Sequence, residues 1–497
     1  MSPPDWRIHL RPGSEIPDGD DAARRWLRRG DLPSALLRGG GGVALRCGGA
    51  ELDHDALAGG VARVASGLIA TGVRPGDRVL LHAAASLDWV LACLGALRAG
   101  AVVVPVNPDY REAEIDHILG DAGPAVAIAD APRLDGLARL RSGHPGLRSL
   151  VAVDGLPRAG AEPPGRALGP ETPALIIYTS GTTGRPKGAL LDHGNLLAQG
   201  RGVVEAWRWE SSDHLVLALP LHHLHGLAMG LVGTLLAGAA ATLLRFSPEA
   251  VVAELRAGAS LLFGVPAMYQ RLVEHLEEHP ADLSTVRLFV CGSAPLPPAL
   301  FDRCAALLGQ APLERYGITE GGVAVSTPYG GPRRAGRVGH PLPGVEVRLG
   351  EEDEVLLRGG QVFSGYWRNP GATAEALHGG WLRTGDVGEI DADGSLAIRG
   401  RLKELIITGG LNVYPREVEV VLEQHPAVAE VAVAGLPSER WGEEVTAFVV
   451  ARSPVAEDEL VAHARARLAA YKCPRAIRFV ASLPRNALGK VLRTELR

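Results

Sequence analysis

Apolar and polar positions alternate along the first third of the chain in blocks of two lengths. The Ala-rich stretch 55–71 and the apolar stretch 87–99 are long enough for helices, whereas 79–81 and 101–106 are short apolar runs next to turn residues. Short apolar runs bounded by Gly, Pro, Asn and Asp indicate buried strands. Strands that alternate with helices in this way predict a parallel sheet covered by helices.

The same alternation continues in the middle of the chain. Predicted strands at 215–219 and 241–244 alternate with predicted helices at 226–236 and 248–257. The parallel α/β pattern therefore extends well beyond residue 200.

Two further regions differ from this pattern. Residues 344–358 and 387–398 have short strands separated by polar turns, and a new unit with its own helices and strands begins after Gly400. We predict an α/β protein with a large N-terminal domain of layered α/β sheets and a β-rich subdomain, residues 1–402. A small α+β C-terminal domain is predicted at residues 403–497.

Composition and charge narrow the class of protein. Hydrophobic residues make up 46% and charged residues 22%, and the formal net charge is -5, so a basic surface for nucleic acid is not expected. No signal-peptide core and no charge-free apolar stretch of roughly 18 residues is present, which predicts a soluble cytoplasmic protein without a membrane span. The five cysteines have no CxxC spacing and are predicted to be reduced thiols.

Lysine is rare in this chain. Lysine and arginine total 51, yet the only lysines are Lys187, Lys403, Lys472 and Lys490. Arginine serves wherever only positive charge is needed, so a retained lysine indicates a place where the broad guanidinium does not fit. Chance survival under a biased base composition is the alternative for any one of them.

The segment from Tyr178 to Gly188 is the strongest local motif, Tyr-Thr-Ser-Gly-Thr-Thr-Gly-Arg-Pro-Lys-Gly. Its glycines let backbone N–H groups approach an anion, and its hydroxyl side chains add neutral donors, so it suits phosphate. It is not a Walker loop, because Lys187 is followed by glycine rather than Ser or Thr. A P-loop ATPase is disfavoured, and on composition alone a flexible polar linker is the alternative.

This motif resembles the phosphate-binding signature of the AMP-forming adenylating superfamily of acyl-CoA synthetases. Further segments resemble the family's other motifs in order: Pro220-Leu-His-His-Leu-His-Gly226, Tyr316-Gly-Ile-Thr-Glu320, Thr384-Gly-Asp386, Gly400-Arg-Leu-Lys403, Gly409-Gly-Leu-Asn-Val-Tyr-Pro415 and Pro484-Arg-Asn-Ala-Leu-Gly-Lys490. The resemblance covers roughly residues 50–497. It implies an enzyme that activates a carboxylic acid with ATP as an acyl-adenylate and then transfers the acyl group to CoA.

The resemblance also implies a set of site residues, with ATP, Mg2+ and coenzyme A as cofactors or co-substrates. Lys490, His223, Thr319 and Glu320 match catalytic positions, and Glu320 with Thr179 matches the metal site. The nucleotide-binding positions are Thr179, Ser180, Gly181, Thr182, Thr183, Gly184, Lys187, Ser293, Ala294, Pro295, Tyr316, Gly317, Asp386 and Arg401. A lysine suits the narrow gap between two anions, since adenylation needs a cation between the carboxylate and the α-phosphate.

By the same resemblance, the C-terminal domain is mobile. Lys403 matches the family's hinge, and rotation after adenylation would withdraw Lys490 and bring Gly409 and Gly410 toward the pantetheine of CoA. One site would then serve two reactions.

The acid itself is the least specified part of the prediction. His223 and His225 are expected beside the acyl group, and several stretches resemble malonyl- and methylmalonyl-CoA synthetases. A dicarboxylate needs a buried cation for its distal charge, and Arg287 is the candidate. The sequence departs from that subgroup after Glu320, so a short to medium-chain acid stays open as well. A zinc site at His222, His223 and His225 is disfavoured, because no cysteine or carboxylate lies nearby.

Two alternatives differ in chemistry from a CoA ligase. An acyl-AMP ligase would load the pantetheine of a carrier protein instead of CoA, and a non-catalytic protein would only bind ligands on the same fold. Intact Lys490, Glu320, Thr319 and Asp386 argue against the second.

Overall fold

The computed structural model describes residues 4–160, 168–179, 186–438, 440–485 and 491–496. Within these residues the chain forms four sheets, two of them mainly parallel and two of them mainly antiparallel. No helix in the described ranges is long and apolar enough to cross a membrane. All five cysteines lie in these ranges and are unpaired, as the sequence predicts.

The nine-stranded sheet has a parallel centre with antiparallel strands at its two edges. In spatial order its strands are His340–Pro341, Gly322–Ser326, Leu313–Ile318, Leu288–Cys291, Leu261–Gly264, His214–Leu217, Ala240–Leu243, Val43–Cys47 and Ala50–Asp53.

The seven-stranded sheet is also parallel except for two strands at one edge. In spatial order its strands are Gly365–Tyr366, Lys187–Asp192, Pro173–Thr179, Val102–Pro105, Arg78–His82, Val126–Ala129 and Ser149–Ala152.

Helices cover both parallel sheets, and many begin at a capping residue that the sequence supplies. Ser86 accepts from the Trp89 amide, and Asp192 forms a capping box with Asn195, which satisfies amides that have no partner within the helix. The helices of this region are Asp20–Arg28, Leu32–Leu36, His54–Ala70, Leu87–Arg98, Glu112–Ala122, Ala131–Leu140, His193–Ala206, Val232–Ala237, Pro248–Arg256, Pro266–Glu278, Pro298–Leu308 and Pro370–Ala376.

The third sheet is the predicted β-rich region, with all of its strands antiparallel. Its strands are Glu346–Leu349, Glu354–Arg358, Leu377–His378, Trp381–Ile390 and Leu396–Arg401. The fourth sheet belongs to the last hundred residues, where it packs with the helices Pro415–Leu422 and Glu457–Arg465. Its strands are Ile406–Thr408, Leu411–Val413, Val428–Ser438, Gly442–Ala451 and Ala476–Phe479. The predicted fold class, a large α/β region with a β-rich part and a small α+β region, is confirmed.

A continuous apolar core joins the two parallel sheets. Trp207 and Trp209 each meet the Phe263 ring edge-on, with centroids 5.1 and 5.3 Å apart. Each large side chain buried in this way contributes about 1.5 to 3 kcal/mol to folding. This core fixes the relative position of the sheets, whose carboxyl ends form the site described next.

One predicted helix has an unexpected form. The stretch predicted as a helix at 226–236 begins as a π-helix, His225–Leu231, and becomes an α-helix only at Val232–Ala237. A side chain at Gly226 would lie 2.3 Å from the Pro220 carbonyl oxygen, so the backbone packs more tightly there than any larger residue permits. Short π-helical segments are frequent at functional sites.

Candidate active site

The carboxyl ends of strands from both parallel sheets meet at one groove. Thr179 ends a strand of the seven-stranded sheet, and Glu320 follows the strand Leu313–Ile318 of the nine-stranded sheet. The Thr179 hydroxyl lies 3.5 Å from Glu320 Oε1, so the two predicted metal-binding residues are brought together. Ligands of open α/β sheets bind at such carboxyl ends, which makes this groove the candidate site.

Histidines line the floor of the groove. The His222 and His223 rings are 4.3 Å apart, and both follow the strand His214–Leu217. Burial lowers the pKa of His222 to about 3 and that of His223 to about 4, with the neighbouring histidines adding to the shift of His222. One of those neighbours is His82, at the carboxyl end of a strand in the other sheet. These imidazoles are neutral at physiological pH.

His225, Ser293 and Arg315 form a compact cluster beneath the groove. The Ser293 hydroxyl lies 3.1 Å from His225 Nδ1 and 3.0 Å from the Arg315 guanidinium. Ser293 is exposed and has a left-handed backbone with φ of 71°, a strained conformation that favours glycine. A side chain at Gly292 would lie 2.4 Å from Arg315 Nε, so glycine is required for the guanidinium to approach.

Two buried donors in this cluster have no partner in the part of the chain that the structure describes. Arg315 and His225 are 6% and 7% exposed, and neither Arg315 Nε nor His225 Nε2 makes a hydrogen bond within the described residues. Burial lowers the pKa of Arg315 to about 10, and burial beside Arg315 lowers the pKa of His225 well below its usual value. Ser293 accepts from Arg315 and can therefore donate to Nδ1 of the neutral His225. That assignment puts the imidazole proton on Nε2, so both orphan atoms are N–H donors.

The predicted nucleotide residues also meet at the groove. The buried Tyr316 hydroxyl donates to Asp386 Oδ2 over 2.7 Å, and Arg401 Nε lies 2.9 Å from Asp386 Oδ1. Burial and the nearby Asp386 carboxylate raise the pKa of Tyr316 well above its usual value, so the hydroxyl stays protonated. Each oxygen of the Asp386 carboxylate can accept more than one hydrogen bond.

Arg287, which is predicted to bind the acid, lies at the other end of a strand from Ser293 and has a carboxylate partner. It precedes the strand Leu288–Cys291, whose four residues span about 13 Å, while Ser293 follows the other end. Its guanidinium forms a two-pronged ion pair with the buried Asp213, with Nε 2.6 Å from Oδ1, and donates to the Trp207 carbonyl. A guanidinium at the amino end of the strand, already paired with a carboxylate, does not face the groove.

The other predicted site residues lie in several places. Ala294, Pro295 and Thr319 lie in the segments that follow two neighbouring parallel strands, at the groove, and Gly317 lies near the end of the second of these strands. Lys187 begins the strand opposite Thr179, whereas Lys403, Gly409 and Gly410 are exposed in the C-terminal region. The predictions for Ser180, Gly181, Thr182, Thr183, Gly184 and Lys490 lie outside the described residues.

Sequence reasoning missed Arg315, His82 and Tyr366. Arg315 is the residue before Tyr316 and lies inside the strand Leu313–Ile318, next to a second charged residue, Glu314. His82 is the last residue of an apolar strand. A polar residue at the end of a buried strand is the available indication for His82, and the pattern around Arg315 gives no such indication. No group of three His, Cys, Asp or Glu residues in the described part of the chain could hold a metal.

Comparisons with known proteins identify the family. Residues 36–367 match the model of the AMP-binding enzyme family, and residues 417–490 match that of the AMP-binding enzyme C-terminal domain. The chain is 40% identical to a feruloyl-CoA synthase from an Amycolatopsis species, covering 92% of this chain and 95% of that protein. It is 34% identical to malonate–CoA ligase from Arabidopsis thaliana, covering 86% and 78%.

A solved structure agrees with these matches. ATP-bound MatB from Rhodopseudomonas palustris superposes with a TM-score of 0.87 at 35% identity, covering 94% of this chain and 98% of MatB. The fold, the family models and the relatives therefore agree on one conclusion. The chain belongs to the AMP-binding enzyme family and is an AMP-forming acyl-CoA synthetase.

Proposed function

We propose that this enzyme activates a short dicarboxylic acid of the malonate or methylmalonate type. The observation that carries the proposal is the pair of unpartnered buried donors, Arg315 Nε and His225 Nε2. A buried polar group without a partner costs about 1 to 3 kcal/mol, and a buried charge costs more. A second carboxylate on the acid would accept from both donors and neutralise the guanidinium, with the exposed Ser293 hydroxyl at the entrance.

Adenylation needs the acid's reacting carboxylate to attack the α-phosphorus of ATP as pyrophosphate leaves. We assign Lys490 to the gap between these anions and Thr319 to the α-phosphate. A preorganised donor of this kind is worth about 3 to 4 kcal/mol in the transition state, so Lys490→Ala should lower kcat roughly 100- to 1,000-fold. Neutral His223 would lie beside the carboxylate without adding charge.

Glu320 and Thr179 fit a magnesium ion. They offer a carboxylate and a hydroxyl oxygen side by side, and Mg2+ prefers such hard oxygen ligands together with phosphate oxygens. When bound, the ion would neutralise charge on the phosphates. Tyr316 would pack near the adenine, and the Asp386 carboxylate, held in place by Tyr316 and Arg401, would accept from the ribose hydroxyls.

In the second half-reaction the CoA thiol attacks the acyl carbonyl, and AMP leaves. We propose that residues 403–497 move as a unit about Lys403 between the two steps, withdrawing Lys490 and presenting Gly409 and Gly410 to the pantetheine. Both glycines have positive φ, 58° and 78°, so they form a tight turn at the exposed tip of a hairpin.

A phenolic acid is the second candidate, because the feruloyl-CoA synthases are 40% identical to this chain. Such an acid has a hydroxyl at its far end and would leave the Arg315 charge unneutralised. Short and medium-chain fatty acids, which carry no second polar group, would leave both donors unpartnered. Loading of a carrier protein in place of CoA would involve the same acid site.

The test is AMP formation from ATP with a panel of acids: malonate, methylmalonate, acetate, butyrate, octanoate, benzoate and ferulate. Each acid is assayed with and without CoA, and the thioester is quantified. We expect the highest kcat/KM for malonate or methylmalonate, with thioester equal to AMP. Preference for ferulate or octanoate would contradict the dicarboxylate assignment, and AMP release without thioester would indicate another acceptor.

A further inference from the structure

Tyr366 links two residues from opposite sides of the groove. It lies on the short strand Gly365–Tyr366 at the edge of the seven-stranded sheet, paired with the strand Lys187–Asp192. Its hydroxyl donates to Glu320 Oε1 over 2.9 Å. Its ring centroid is 5.4 Å from Lys187 Nζ, within range of a cation–π contact.

The same two residues are neighbours of Thr179. Thr179 and Lys187 face each other in adjacent strands, and the Thr179 hydroxyl lies 3.5 Å from Glu320 Oε1. The Thr179 hydroxyl therefore lies beside the Glu320 carboxylate, and Tyr366 contacts both this carboxylate and the Lys187 ammonium.

The surrounding structure holds Tyr366 in a single position. Its backbone amide donates to the Thr373 hydroxyl over 2.9 Å, and its ring meets that of Phe363 edge-on with centroids 4.9 Å apart. The Phe363 amide donates to the Glu320 carbonyl over 2.8 Å. The segment 363–366 therefore fixes Glu320 twice, through its backbone and through its carboxylate.

The tyrosine hydroxyl is the donor in its contact with Glu320. An ionised carboxylate can only accept hydrogen bonds, so the phenol O–H supplies the proton of the bond. Its hydrogen bond is made to Oε1, and no hydrogen bond from another described residue is made to Oε2. Groups that orient a metal-binding carboxylate in this way affect metal affinity without touching the metal.

We propose that Tyr366 is a positioning residue for Mg·ATP, orienting the Glu320 carboxylate through its hydroxyl and the Lys187 ammonium through its ring. This inference rests on the role proposed above for Glu320 in metal binding and on Lys187 as a nucleotide-binding residue, which we assign to the β- and γ-phosphates. It does not depend on which acid the enzyme uses.

The test compares Tyr366→Phe, which keeps the ring, with Tyr366→Leu, which removes ring and hydroxyl. ATP binding to the full-length protein is measured by calorimetry over a series of Mg2+ concentrations without any acid, so no turnover occurs. Tyr366→Phe should raise the Mg2+ concentration for half-maximal ATP binding about 10- to 100-fold. Tyr366→Leu should weaken ATP binding about 2- to 5-fold further, through loss of the contact with Lys187.

A metal-free ligand separates positioning from general damage. A non-hydrolysable acyl-sulfamoyl adenosine has neither a β- nor a γ-phosphate, and its affinity should be unchanged in both variants. Tyr329→Phe makes the same chemical change beside Arg208 and Arg287, away from Glu320, and should leave the Mg2+ dependence as in the wild type. The proposal would be overturned if Tyr366→Phe lowered the affinities for ATP and for the acyl-sulfamoyl adenosine equally. It would also be overturned if ATP binding by Tyr366→Phe depended on Mg2+ as in the wild type.

Glu320→Gln distinguishes this inference from the function on which it rests. If Glu320→Gln changes the Mg2+ dependence and Tyr366→Phe does not, the role of Tyr366 is wrong and that of Glu320 stands. If neither variant changes it, the metal site itself is misassigned. In the double variant, Glu320→Gln with Tyr366→Phe, the effects of the two substitutions on the Mg2+ dependence should not add, because the tyrosine acts through the carboxylate.

Discussion

The Tyr316 hydroxyl donates a 2.7 Å hydrogen bond to Asp386. This contact connects the nine-stranded sheet to the antiparallel sheet that contains the strand Trp381–Ile390. Asp386 is 3% exposed and also meets Arg401, its neighbour across two paired strands. A residue proposed for adenine binding therefore also positions the residue proposed for ribose binding. The contact couples stability of the fold to nucleotide affinity.

Tyr316→Phe should reduce both the stability of the protein and its affinity for AMP. The substitution keeps the ring but removes a donor from a buried carboxylate, which should cost about 1 to 3 kcal/mol of unfolding free energy. Urea unfolding measures the first effect and AMP binding the second. Unchanged AMP affinity in a destabilised protein would show that Asp386 does not contact the ribose.

Arg287→Met should destabilise the protein without changing its choice of acid. Removing the guanidinium leaves the buried Asp213 carboxylate without its cation, which should cost about 3 kcal/mol of unfolding free energy. We take the low end of the range for a broken buried ion pair because the Arg287 side chain is 24% exposed. Burial favours a higher pKa for Asp213, but hydrogen bonds from Arg287, the Glu210 amide and Ser260 lower it below its usual value.

The pH dependence of this ion pair gives a second check. A lowered folded-state pKa contributes stability above the usual Asp value of about 4, and the contribution is lost as the pH falls through the lower folded value. The stability difference between wild type and Arg287→Met should therefore be largest near neutral pH and shrink below about pH 4. A difference that grows in acid, or a changed ranking of acids, would contradict this account.

His193→Gln should make the protein more resistant to acid. Burial lowers the pKa of His193 to about 4, so between pH 6.5 and about 4 the unfolded chain binds a proton that the folded chain does not. Stability is therefore lost across this window, by up to about 3 kcal/mol for this one residue. Glutamine keeps an acceptor for the Leu32 amide, which bonds His193 Nδ1 over 3.2 Å.

Guanidinium unfolding at pH 7.5 and pH 4.5 measures the effect. The variant should lose less stability than the wild type on acidification, and the same substitution at the exposed His378 serves as the control. Equal losses of stability on acidification in the wild type and in His193→Gln would show that this histidine does not cause the acid sensitivity.

Gly226→Ala should disturb the histidines of the site. The added methyl group would lie 2.3 Å from the Pro220 carbonyl oxygen, so the π-helix His225–Leu231 must shift, at about 1 to 3 kcal/mol of stability. The KM for the acid should rise, because His223 and His225 lie just before this glycine.

A second glycine provides the matched control for that variant. Gly202 lies within the helix His193–Ala206 with open space at its Cβ, so Gly202→Ala should stabilise by about 0.4 to 1 kcal/mol. Gly226→Ala with normal thermal stability and normal acid KM would mean that the π-helix does not position the site.

Much of the fold was predictable because local patterns and tertiary structure agree. The helix predicted at 55–71 is His54–Ala70, and the strand predicted at 215–219 is His214–Leu217. The π-helix was not predictable, since Gly226 permits it only through contact with Pro220 in the folded chain. Apolar periodicity does not report such a close approach.

The site was predictable where a motif carries its own chemistry and not where partners are distant in sequence. Glu320 and Thr179 were paired as metal ligands before their 3.5 Å contact was known. Tyr366 contacts Glu320 across 46 residues and belongs to no motif that was recognised. Charge alone does not distinguish Arg287 from Arg315, because their partners are distant in sequence: Arg287 is paired with Asp213, whereas Arg315 Nε has no hydrogen-bond partner among the described residues.

The most direct test of the acid assignment is the ratio of kcat/KM for malonate to that for butyrate, measured in wild type, Arg315→Met and Arg287→Met. Pairing of a buried guanidinium with a carboxylate is worth about 2 to 5 kcal/mol, so Arg315→Met should lower the ratio roughly 30- to 5,000-fold. Arg287→Met should leave the ratio as in the wild type. A ratio unchanged by Arg315→Met, or a wild-type preference for butyrate, would contradict the proposal that Arg315 binds a second carboxylate.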